Sequence, residues 1–64
     1  MKLNLVQQVT PPMEKAILCA YEDETGPWFF IGMLSEDGKW YSNEYGAWEF
    51  CGEPQYWCYL PTID

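Results

Sequence analysis

The chain has 64 residues, a formal net charge of −7 and 19% aromatic residues, with ten carboxylates against three lysines and no histidine. That length allows one domain, and so short a chain buries only about 60% of its unfolded surface. The missing cationic footprint excludes direct nucleic-acid binding and disfavours an anionic membrane surface.

Residues 2–9, "KLNLVQQV", read as a short strand or an arm, and Thr10-Pro11-Pro12 breaks it because a proline disfavours helix at the residue before it. Residues 13–22, "MEKAILCAYE", fit two templates. Pro12 followed by Glu14 suits a helix start. Ile17, Cys19 and Tyr21 alternating with Leu18 and Ala20 suit a strand buried on both faces. Strand is preferred because every later segment is strand-like, with a short helix over residues 13–20 as the alternative.

Asp23-Glu24-Thr25-Gly26-Pro27 is turn chemistry. Trp28–Leu34, "WFFIGML", is the strongest strand, rich in aromatic and branched residues. Ser35-Glu36-Asp37-Gly38 reads as a hairpin loop with Gly38 in the left-handed conformation. Residues 39–43 return antiparallel, Glu44-Tyr45-Gly46 turns, and residues 47–51 form a further short strand. Gly52-Glu53-Pro54 breaks that strand, residues 55–60 form the last one, and Pro61 ends it. The expectation is a mainly β fold: an antiparallel meander of three to five strands in a single acidic domain over residues 1–64, with 1–12 as an arm.

"WFFIGML" is apolar on both sides, and the neighbours Trp40/Tyr41 and Tyr56/Trp57 point to opposite faces of their strands. One small sheet has one core face, so something must cover the other. The sheet can curl into a tiny barrel, residues 2–20 can lie across it, or two copies can pack face to face. An apolar patch larger than a few hundred Å² marks an interface. The reading is therefore a face-to-face homodimer or an obligate partner.

"AILCAYED", the hairpin to "DGKWY" and the closing Gln55-Tyr56-Trp57-Cys58-Tyr59-Leu60-Pro61 together resemble a domain-of-unknown-function family of short phage and prophage proteins. Members of that family close with a Thr-His-Trp-x-Pro-Leu-Pro motif. Trp57, Leu60 and Pro61 match it, while Tyr56 stands at the His position and Tyr59 at a Pro position. The resemblance spans about residues 11–61 and brings no catalytic residues. It implies an accessory protein of a bacterial virus or prophage that acts in the host cytoplasm by binding and disabling a host protein.

For catalysis the inventory is thin. Without histidine there is no default general base and no Cys-His nucleophile, and no Gly-rich phosphate cradle is present. Cys19, Cys51 and Cys58 lack zinc-ligand spacing, and the acidic loops are too short for a calcium motif. The chain is read as a non-enzyme with no metal and no cofactor. Three cysteines cannot all pair within one chain, and neither a secretory nor a membrane-spanning apolar run is present, so the expected setting is the cytoplasm with reduced thiols.

The candidate partner-binding residues are the acidic set Asp23, Glu24, Glu36, Asp37, Glu44, Glu49 and Glu53, with the rings of Trp28, Phe29, Phe30, Trp40 and Trp57. The carboxylates fall in or beside the turns of the meander, or on a short strand, so they collect along its ends and edges as phosphates line a duplex. A basic host surface would be drawn to them, and the rings would anchor it.

Overall fold

The computed structural model describes residues 2–44 and 46–61, Glu44 by its backbone alone. The strands are β1 (Asn4–Leu5), β2 (Ile17–Asp23), β3 (Gly26–Leu34), β4 (Trp40–Glu44), β5 (Ala47–Cys51) and β6 (Tyr56–Cys58). They form one antiparallel sheet in the order β1-β6-β2-β3-β4-β5. β2 to β5 are the expected meander, and β6 returns to the far side of β2.

Two expectations are corrected. The sheet has six strands, not three to five. The added one is the two-residue β1, whose Asn4 and Leu5 pair with Trp57 and Tyr56. No helix occurs among the described residues, so the helical alternative over 13–20 fails. Met13 bridges to Leu34, and Glu14 sits at φ 58°, a left-handed conformation that an α-helix does not admit. From Ile17 onward the chain is captured on both edges, by β3 and by β6.

Chain length shows that the sheet is curled. Residues 52–55 alone join β5 to β6, although β4, β3 and β2 lie between them in the sheet. In a flat sheet those strands would be about 19 Å apart, at about 4.8 Å per step. Five Cα steps span at most about 18 Å when fully extended. The link does cross: the Gln55 N–H donates to the Ala20 carbonyl at 3.1 Å. The molecule measures 30 × 28 × 27 Å, nearly equal in every direction. A small, unclosed barrel satisfies all of this, and it is the first of the three coverings considered from sequence.

Curling gives the sheet an inside and an outside. Ile17, Cys19, Leu34, Trp40 and Trp57 form the buried cluster, with Val6, Phe30 and Cys51 packed against it. The turn after β1 closes one side: Val9 N–H bonds back to the Leu5 carbonyl at 2.9 Å, and the Val9 carbonyl accepts the Trp57 indole N–H at 2.7 Å. Burial places the Cys19 thiol in an apolar interior, with Cys51 and Cys58 nearby, and pushes its pKa up to about 12. It is a packing group, inert as a nucleophile at neutral pH.

Gly32 faces this interior because nothing larger fits. A Cβ there would stand 2.6 Å from the Cys19 sulfur and 3.3 Å from the Tyr41 carbonyl oxygen. Gly32→Ala is expected to destabilise the fold by about 1–3 kcal/mol, the usual cost of overpacking, read as a lower urea midpoint.

Candidate functional surface

The outer face of the barrel is where the apolar excess of the sequence goes. On β3 the side chains alternate, so Phe30, Gly32 and Leu34 turn inward while Phe29, Ile31 and Met33 turn outward. Met33 pairs across with Tyr41, and Tyr41 with Phe50, which places these side chains on the same outer face. Trp48 joins them by its spacing from Phe50. Phe29 is 55% exposed and Phe50 71%, and Ile31 and Trp48 are also exposed. Tyr41 and Phe50 meet edge to face with ring centroids 6.1 Å apart, and Met33 and Tyr41 are half-buried within the patch.

The total accessible surface is 4846 Å². A folded monomer of 7.5 kDa is expected to expose about 4,250 Å². The chain as a whole thus exposes about 600 Å² more than that average.

The structure distributes the candidate residues as follows. Trp40 and Trp57 lie in the core and offer no surface to a partner. Phe30 is half-buried against that core. Phe29 is the ring of the set that faces outward on the sheet. Trp28 is exposed at the hairpin tip, its indole N–H shared between Asp23 Oδ1 at 3.0 Å and Thr25 Oγ1 at 3.2 Å. Asp23 and Glu24 belong to the β2–β3 turn, and Glu36 and Asp37 to the β3–β4 turn at the opposite end. Glu49 is exposed on the edge strand β5, and Glu53 is exposed in the link before β6. The Glu44 side chain and Tyr45 lie outside the described residues. The carboxylates therefore flank the apolar face from both ends.

Two of them already have work within the chain. Asp23 Oδ1 accepts the Thr25 N–H and hydroxyl, both at 2.8 Å, as well as the Trp28 indole. Asp37 Oδ1 accepts the Ser35 hydroxyl at 2.6 Å and the Lys39 N–H at 3.1 Å. These bonds favour the ionised form, so both carboxyls titrate below the ordinary 3.8. A lowered folded-state pKa means that the stabilisation is full above the unfolded value and is lost as pH falls through the folded one. The thermal advantage of the wild type over Asp23→Asn/Asp37→Asn is expected to be constant from neutral pH to about pH 4 and to shrink below about 3.8, as followed by circular dichroism melts.

Sequence reasoning missed Ile31, Trp48 and Phe50 as surface residues. The signal was present in "AWEFC", where Trp48 and Phe50 share one face with Glu49 between them. It also missed a second feature. Tyr21, Phe30, Ser42, Cys51, Gly52, Glu53 and Pro54 line a pocket of about 350 Å³ between the β5–β6 link and strands β2 to β4. The β3–β4 ladder runs from the Leu34–Trp40 pair to the Gly32–Ser42 pair, and the pocket lies beside its last pair.

Among the described residues no cluster of three or more Cys, Asp or Glu side chains could hold a metal ion, and no helix is long and apolar enough to cross a membrane. Comparison with protein-family models, with curated proteins and with solved structures finds no match for this chain.

Proposed function

We propose that this chain is a small acidic, phage-type binding protein that inhibits or modulates a host protein by occupying its basic surface, the target being of the kind that handles nucleic acid or serves antiviral defence. The observation that carries this reading is the outer face of β3 to β5, where Phe29, Ile31, Trp48 and Phe50 stand exposed between two acidic ends. Aromatic rings supply binding energy at interfaces, and carboxylates at the rim speed encounter with a cationic partner and select it. A host target is what membership of the short phage-protein family would imply, and it is part of the proposal. The test is capture by the immobilised protein from a bacterial lysate at rising salt. Release of a discrete partner as salt increases is the expected result, and retention indifferent to salt contradicts charge complementarity.

A second reading is self-assembly, as a homodimer or structural module, and the edge strand β5 favours it. Among the described residues β5 is the last strand of the sheet, next to β4, and it carries neither proline nor lysine, features that leave a strand edge open as a template for another strand. Antiparallel pairing of two copies about the strand centre sets Glu49 opposite the Glu49 of the second copy, a like-charge contact that destabilises the pair. Sedimentation separates the readings. Self-assembly through β5 is expected to strengthen in Glu49→Gln, which removes the like-charge contact, whereas a monomer in both proteins at every concentration removes it.

A further inference from the structure

We infer that the pocket beside the β5–β6 link is a receptor for a single arginine side chain presented by the partner. This rests on the proposed binding of a basic protein surface and adds a contact separate from the outer face, because Tyr21, Phe30, Ser42 and Cys51 lie on the inner side of the curled sheet. Its lining includes Tyr21 from β2, Phe30 from β3, Ser42 from β4 and Glu53 from the link, so two aromatic residues, a hydroxyl residue and an acidic residue border one space. The Tyr21 and Phe30 rings are 6.3 Å apart and tilted by 58°, an angular aromatic wall rather than a flat one. A guanidinium within about 6 Å of such a ring is attracted to its face, and its planar fork suits a carboxylate better than the compact charge of lysine does.

Among the described residues no lysine lines the pocket. The volume of about 350 Å³ lies at the small end of ligand pockets and admits one long side chain. The walls are also held in place. Pro54 is buried, the Gln55 N–H is bonded to the Ala20 carbonyl at 3.1 Å, and the Gln55 Oε1 accepts the Glu22 N–H at 2.8 Å. A pre-formed site spends little of its binding energy on ordering.

The experiment is a heteronuclear NMR titration of the full chain with N-acetyl-arginine methylamide, its lysine counterpart and the neutral isostere N-acetyl-citrulline methylamide. Saturable shifts are expected at residues 21, 30, 42 and 51–54 with the arginine probe, weaker ones with lysine, and none that saturate with citrulline. Glu53→Gln, at an exposed position outside the core, is expected to lower the arginine affinity about tenfold by removing the charged acceptor while leaving the amide spectrum otherwise folded. Equal binding of citrulline, an unchanged affinity in Glu53→Gln, or shifts spread over the acidic turns with no saturating set at the pocket would overturn the inference. Because the probe is a lone amino acid, such a failure leaves lysate capture by the outer face standing. Loss of lysate capture with intact arginine binding would sink the partner reading instead.

Discussion

Trp57→Ala is expected to leave the chain unfolded at room temperature. Trp57 is 2% exposed at the centre of the buried cluster, and removing a buried aromatic ring costs about 3–5 kcal/mol. A domain of this size holds little more than that in total. The substitution also strips the Val9 carbonyl of its 2.7 Å indole donor, which releases the turn that closes the barrel against β6. Trp57→Phe separates the two contributions. It keeps most of the apolar volume and loses the hydrogen bond, so it should fold with a stability lower by about 1–3 kcal/mol. Urea titrations followed by circular dichroism check both. A Trp57→Ala variant with a wild-type midpoint would mean that the core lies elsewhere.

Phe29 and Phe30 are adjacent in sequence and should behave as different kinds of residue. Phe30 packs inward against the buried cluster, and Phe30→Ala is expected to cost about 3 kcal/mol or more. Phe29 is 55% exposed on the outer face, and Phe29→Ala should change the stability of the isolated chain by no more than about 1 kcal/mol. Its effect belongs to association: removing an aromatic anchor from the centre of an interface typically costs about 2 kcal/mol or more of binding. The pair of variants thus reads the two faces of one strand. Equal loss of stability in both, with partner binding intact, would place both rings in the core.

How much of this was legible in the sequence follows from the range of each interaction. The strands of the meander and the positive φ of Gly38 depend on residues a few positions apart, and the sequence reading anticipated them; the turn read over residues 23–27 narrows to Glu24-Thr25, with Gly26 and Pro27 already in β3. That the residues of "WFFIGML" divide between two faces was legible as well, because successive side chains of a strand point to opposite sides. The curl stood as one of three coverings and was not the one preferred, although the shortness of the segment between Cys51 and Tyr56 held the clue once β6 is known to pair with β2. That pairing joins residues far apart in the chain, and no local pattern announces it.

The same limit explains the tryptophans. Trp40 and Trp57 look like Trp28 and Trp48 in composition, and only the register across β2, β4 and β6 decides which rings fall inside. Among the acidic residues the turn positions were legible. The engagement of Asp23 and Asp37 in their own turns follows from Asx chemistry, which the sequence reading passed over in favour of partner contacts. The pocket of Tyr21, Phe30, Ser42 and Glu53 draws on three strands and a link, so it exists only at the level of tertiary structure.

The claim beneath the functional reading is that the outer aromatic surface is bare in the free molecule and covered when a partner arrives. Hydroxyl-radical footprinting of the free chain and of its complex with the captured partner measures this directly. Phe29, Ile31, Trp48 and Phe50 should be oxidised readily in the free protein and protected in the complex, with Trp57 protected in both. Strong protection of those four side chains in the free chain at low concentration, or unchanged oxidation in the complex, would contradict it.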